Sequence, residues 1–183
     1  MTIEQKFLPN SKWTRPGIVR QGTKAIVMHW IAAPGQTPEQ VIEFWKNRKN
    51  AYGSAHYVIG TEGRVVQTLP ENEVAYHCGS QTYTPYATAL LGKQATSNKS
   101  KGTPNHFSIG IEMSHIDWEG TFTEDTLESA ARLCAQLCKR YKLDPFKHIT
   151  THNMIVGWKD CPKQWVKEPW RLELFKRYVA SLL

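Results

Sequence analysis

His152, Lys159 and Cys161 fall within one short run, Thr151-His152-Asn153-Met154-Ile155-Val156-Gly157-Trp158-Lys159-Asp160-Cys161-Pro162. Imidazole and thiolate are both good ligands for a borderline metal, and a separation of nine residues lets one loop bring them to a single ion. Far upstream, His29 closes the apolar run Ala25-Ile26-Val27-Met28-His29-Trp30 and offers a second imidazole from a neighbouring strand. Two histidines and a cysteine around a tetrahedral zinc leave the fourth position open, which is the layout of a hydrolytic metal site. Spacing alone does not single this reading out. A histidine at a strand end is commonly a hydrogen-bonded structural residue, and a cysteine a small buried hydrophobe.

The elements that must position these residues can be read from pattern. Residues 24–30 form an apolar strand. Thr37-Pro38-Glu39-Gln40 starts a helix, with Thr as N-cap, Pro at the first position and Gln closing a capping box. Val41, Phe44 and Trp45 are its expected inner face. The β-branched runs 54–60 and 64–69 around Thr61-Glu62-Gly63 predict a hairpin. Residues 107–113 return to strand. A helix over about 124–142 carries the stripe Leu127, Ala130, Cys134, Leu137, Cys138 and Tyr141. His148 to Thr151 reads as a short strand and 169–182 as a closing helix. The segment 79–105 is polar apart from Ala89-Leu90-Leu91 and long for a connection, so it reads as a functional surface loop, with Tyr83, Tyr86, Lys93 and Lys99 as a candidate groove wall. Residues 1–23, broken by Pro9, Pro16, Gly17 and Gly22, read as an arm packed on the domain 24–183. Interspersed strands and helices predict a single α/β domain, a mixed sheet with helices on its faces.

Composition narrows the function classes. The 183 residues suit one domain with a sizeable core. No apolar run is long enough to cross a bilayer, so membrane insertion is not expected. Residues 1–10 lack the apolar core of a secretory leader, from which either cytoplasmic synthesis or a chain trimmed from a longer protein is expected. The 23 Lys and Arg against 16 Asp and Glu give a net charge of +7, which favours an anionic partner. Nucleic acid is the weakest such partner, for no recognised motif or compact basic helix is present. Four cysteines are too few for a disulfide scaffold.

Several motifs occur in one order: Val-Met-His29-Trp, Ser54-Ala55-His56-Tyr57-Val58-Ile59, Glu71-Asn72, Ala75-Tyr76-His77-Cys78-Gly79, Ile109-Gly110-Ile111-Glu112, and His152 through Cys161-Pro162. The series, over roughly 24–165, resembles the zinc-dependent N-acetylmuramoyl-L-alanine amidases, the family of T7-lysozyme-like amidases, phage endolysins and peptidoglycan recognition proteins. The resemblance implies a central mixed β-sheet flanked by helices, with a zinc site in a groove at one edge. It implies one Zn2+ per chain held by His29, His152 and Cys161, with Asp160 the rival third ligand. Lys159-Asp160-Cys161-Pro162 matches the cysteine version. It implies Glu112 as general base, Lys159 as the cation that stabilises an oxyanion, and His77 as a substrate-groove residue; a hydrogen-bonded structural role for His77 is the alternative. His56 reads as a supporting or core residue.

The implied reaction is hydrolysis of the amide between N-acetylmuramic acid and L-alanine in peptidoglycan, with anionic wall polymers as further partners. The expected setting is a lysin made in the cytoplasm that acts on the wall after release. The alternatives are a cytoplasmic muropeptide-recycling amidase, a non-catalytic peptidoglycan-binding module, and a metal-free cysteine hydrolase using Cys161 and His152. Two departures from the family stand out. Ala55 occupies the place of the T7-like catalytic tyrosine. The 152–159 segment is one residue longer than in Cys-type relatives, with Trp158 the insertion, so a bulged loop is expected. His106 and His115 match nothing in the family.

Overall fold

The computed structural model describes residues 1–97 and 102–183. Its centre is a six-stranded mixed sheet. In chain order the strands are β1 (Ile3–Gln5), β2 (Ala25–Trp30), β3 (Tyr57–Ile59), β4 (Val65–Gln67), β5 (Ser108–Met113) and β6 (Ile149–Thr151). Their spatial order is β1-β4-β3-β5-β2-β6. Only the β3–β4 hairpin is antiparallel; the other neighbours run parallel. The expected mixed sheet is therefore present. Its first strand comes from the arm: Ile3 to Gln5 pair with Val65 to Gln67, a piece too short to show alternation in sequence.

One face is closed by two helices, α3 (Glu124–Tyr141) and α7 (Trp170–Ser181). Ile26 and Met28 of β2 and Ile109, Ile111 and Met113 of β5 pack there against Leu133, Cys134 and Leu137 of α3 and Phe175 and Val179 of α7. The stripe expected on α3 is the buried one, and Cys134 and Cys138 are packed within it. All four cysteines are free thiols.

Alternation along a strand turns the intervening residues to the opposite face. That face is covered by two separate clusters. The first is built on α1 (Pro38–Asn47), which brings Val41, Ile42 and Trp45 onto Val58 and Val66. The second is built on α2 (Pro85–Leu91) and α5 (His152–Val156), which cover Ala25 and Val27. A cleft runs between them. The capping box at Thr37 and Gln40 is formed as the sequence predicts. Phe44, however, is 57% exposed. The buried positions of α1 are 38, 41, 42 and 45, and this stripe leaves Phe44 on its flank, over the cleft.

The described part of the segment 79–105 carries regular structure. It holds α2 and two 3₁₀ turns, Lys93–Thr96 and Pro104–His106. Tyr83 packs into the α2 cluster. Gly79, Thr103 and Asn105 reach the cleft; Tyr86 and Lys93 do not, and Lys99 lies outside the described residues. Two short helices complete the chain, α4 (Pro145–His148) before β6 and α6 (Lys163–Lys167) before α7. No helix among the described residues is long and apolar enough to cross a membrane.

Candidate metal centre

The cleft opens at the carboxyl ends of β5, β2 and β6, where ligands bind in parallel α/β sheets. Its volume is about 770 Å³, and His29, Glu112, His152, Lys159 and Cys161 all line it. Each reaches it by a separate local device. His29 is the fifth residue of β2 and faces away from the α3 side. Glu112 lies directly opposite it on β5. His152 is the first residue of α5, whose N-cap Thr151 accepts a hydrogen bond from Met154 N. Cys161 follows the turn after α5. Gly157, with φ of 82°, caps that helix. Asn153 then pins the turn twice: its backbone N donates to Cys161 O at 3.0 Å, and its side-chain amide donates to Lys159 O at 3.0 Å. Trp158 lies out in solvent, 66% exposed, its indole N–H donating to Ser80 Oγ at 3.2 Å.

Ligand atoms of His29, His152 and Cys161 lie within 4.8 Å of one another, and all three residues are buried. The His29 and His152 rings meet edge-on at 4.8 Å between centroids, and His29 Nδ1 is 3.6 Å from Cys161 Sγ. Among the described residues, neither ring nitrogen of buried His152 has a hydrogen-bond partner, and Glu112 Oε2 has none. Buried polar atoms left unpaired are costly. Here they converge with a thiol and a second imidazole, a nitrogen and sulfur donor set that fits a metal ion of the zinc type.

The electrostatics agree. Burial drives His29 well below its ordinary value, helped by His152, and takes His152 down to about 3. Both are thus neutral, as ligands must be. Burial raises Glu112 to about 8, partly opposed by Lys159. Burial, then the charge of Glu112, pushes the Cys161 thiol far up. A catalytic cysteine needs the opposite shift, which disfavours the metal-free cysteine hydrolase. Lys159 itself is exposed at the cleft mouth.

The sequence profile of the N-acetylmuramoyl-L-alanine amidase family matches residues 20–164. The chain belongs to this family. It is 31% identical over 181 residues to the N-acetylmuramoyl-L-alanine amidase BlyA of Bacillus subtilis (strain 168), covering 96% of this chain and 46% of BlyA. To the N-acetylmuramoyl-L-alanine amidase CwlL of Bacillus licheniformis it is 33% identical, over 99% of this chain and 47% of CwlL. The chain therefore spans about half the length of these relatives. Among solved structures, PlyL superposes with a TM-score of 0.72 at 21% identity, covering 98% of this chain and 97% of that one. A mutant endolysin from Bacillus subtilis gives 0.71 at 24% identity, over 97% of this chain and 98% of that one. These confirm the amidase fold, a single domain built on a mixed sheet with flanking helices.

The remaining expected residues are placed as follows. Ala55 is fully buried in the α1 cluster. His56 is a buried core residue held by two backbone bonds. His77 borders the cleft, yet its ring nitrogens face His29 and Ser108. His106 borders the cleft and pairs with Thr103, and His115 packs on Trp30. Three contributors were not singled out from sequence: Asn153, Ser108 and Gly110. A glycine inside an otherwise apolar strand, as in Ile109-Gly110-Ile111, is the usual signal of a close approach from another group. The serine and asparagine carry no such signal.

Proposed function

We propose that this chain is the catalytic domain of a zinc-dependent amidase that hydrolyses the bond between the lactyl group of N-acetylmuramic acid and L-alanine of the stem peptide. The arm 1–23 completes its sheet and residues 24–183 carry the site. One observation carries the reading: in a chain of this family, the buried ligand atoms of His29, His152 and Cys161 converge with Glu112 directly opposite His29.

When bound, zinc would supply Lewis-acid polarisation of the scissile carbonyl and make water more acidic. The rest falls to the chain's own residues. Glu112 accepts a proton from the attacking water and returns it to the leaving amine. Its burial favours this, because desolvation raises the proton affinity of the carboxylate. Lys159 places a cation at the cleft where negative charge develops on the carbonyl oxygen. Phe44, Tyr52 and Trp158, all exposed and all bordering the cleft, offer faces for a sugar or peptide.

The net charge of +7 favours anionic wall polymers as secondary partners, an attraction that added salt screens over about 8–10 Å. The cysteine version of the third ligand favours the lysin setting over cytoplasmic recycling. The test is digestion of purified Gram-positive peptidoglycan with and without a zinc chelator, the products read by mass spectrometry. New L-alanine amino termini on intact glycan, lost on chelation and restored by zinc, are expected. Tight wall binding without cleavage would make the chain a recognition module, and cleavage that survives complete zinc removal would overturn the metal mechanism.

A further inference from the structure

His77 sits where its ring could not stand over any residue but glycine. A Cβ built on Gly110 would lie 2.5 Å from His77 Cγ and 2.7 Å from Nδ1. The backbone beneath the ring is fixed as well, since His77 N and Cys78 N both donate to Asn105 Oδ1, at 3.1 and 2.9 Å. Each ring nitrogen then has one near oxygen or nitrogen partner, and Nε2 also has the Cys78 sulfur at 3.9 Å, whose own proton goes to Asn105 Oδ1 at 3.4 Å. His77 Nε2 is 3.2 Å from Ser108 Oγ, and His77 Nδ1 is 3.0 Å from His29 Nε2.

The protons in this chain can be assigned from its far end. A carbonyl oxygen only accepts, so the Ser108 hydroxyl, 2.7 Å from Pro104 O, spends its single proton there. Ser108 Oγ therefore accepts from His77, and His77 Nε2 carries the ring proton. Neutral imidazole has one N–H, so His77 Nδ1 is a bare acceptor. His29 Nε2 must then donate to it. The lone pair of His29 is left on Nδ1, the atom that faces Cys161 Sγ at 3.6 Å.

We propose that Ser108 and His77 form a relay that fixes the tautomer and ring rotation of His29, so that Nδ1 is presented to the metal. The inference rests on the metal reading of the site. It makes His77 a positioning residue rather than a substrate contact, and it gives Gly110 its reason: the relay needs the space a side chain would fill. A metal-bound histidine held through its other nitrogen typically loses 10–100-fold in metal affinity when that partner is removed.

Two measurements test it. Long-range ¹⁵N–¹H NMR of the metal-free wild-type protein reads the His29 tautomer directly, and the Nε2–H form is expected. Zinc affinity is then measured by competition with a chromophoric chelator for wild type, His77→Phe and His77→Asn. The phenyl ring keeps the bulk and removes the acceptor, so a loss of about 10–100-fold is expected. The asparagine restores an oxygen acceptor near the place of Nδ1, and partial recovery is expected. A His29 protonated on Nδ1, or a folded His77→Phe protein that binds zinc as tightly as wild type, would overturn the relay while the metal site stands. A wild-type protein that binds no zinc would overturn the metal reading, and the relay's purpose with it.

Discussion

His29 and Glu112 are register partners on the adjacent parallel strands β2 and β5, with their side chains on the same face of the sheet. Neighbouring strands are roughly 4.8 Å apart, so the sheet itself places a carboxylate beside a candidate metal ligand without any loop. Glu112 Oε2 is buried and has no partner among the described residues. A group held this rigidly and left unpaired is free to exchange protons with whatever enters the cleft. Glu112→Gln keeps the shape and removes the base. It is expected to lower kcat by about 10²–10⁴-fold with zinc content unchanged, checked by steady-state wall digestion and elemental analysis. Undiminished turnover would remove Glu112 from the chemistry.

Cys161 must lose its proton to bind a metal, and burial holds that proton firmly in the metal-free protein. Zinc uptake is therefore expected to release a proton, and zinc affinity to fall as the pH is lowered from 8 to 6. Calorimetry in buffers of different ionisation enthalpy counts the protons. Cys161→Ser should weaken zinc binding far more than it weakens the fold, because the thiol packs against the site rather than within a core cluster. An unchanged zinc affinity in that variant would turn attention to Asp160 as third ligand.

The sheet was legible wherever a strand was long or a periodicity strong. Residues 25–30 announce themselves by an apolar run closed by His29 and Trp30, 108–113 by Ile109, Ile111 and Met113 alternating with Ser108, Gly110 and Glu112, and α3 by its stripe. The arm's strand was not legible, because three residues paired at a sheet edge show no pattern, nor were α2 and the 3₁₀ turns inside 79–105. Phe44 was misjudged because 41, 44, 45 and 38, 41, 42, 45 are both acceptable helical stripes, and only tertiary packing chooses between them. The grouping of His29, His152 and Cys161 was legible through the order of several motifs, for spacing alone left His29 and Cys161 open to ordinary structural readings. Ser108 and Asn153 act through hydrogen bonds that no local pattern records.

Gly110 offers a test of packing beneath the site. In Gly110→Ala the new methyl would overlap His77 Cγ at 2.5 Å and Nδ1 at 2.7 Å, and the ring has His29 and Ser108 on either side. Overpacking of this kind costs typically about 1–3 kcal/mol. Urea denaturation of the metal-free protein is expected to show a loss of that size. Stability equal to wild type would mean that His77 can move aside, and that the close approach is not enforced.

His56 makes the stability of the fold depend on pH through a group outside the metal site. Its Nδ1 accepts from Gly110 N at 3.0 Å and its Nε2 donates to Glu73 O at 3.0 Å, so both nitrogens are committed in the neutral form. A second ring proton would have to face the Gly110 N–H. Burial, followed by the nearby charge of Arg20, takes the group down to about 3 in the folded protein, whereas an unfolded histidine titrates near 6.5. Between these values the unfolded chain binds the extra proton and the folded chain does not, so stability must fall as the pH drops through that window. From pH 7 to 5 the loss from this residue alone is about 2 kcal/mol. Urea denaturation at the two pH values, in chelator so that metal linkage plays no part, should show a drop at least that large in wild type. In His56→Gln the drop should shrink by about 2 kcal/mol, since the other buried histidines titrate equally in both proteins. Equal drops in the two proteins would mean that His56 takes up its proton without leaving the fold.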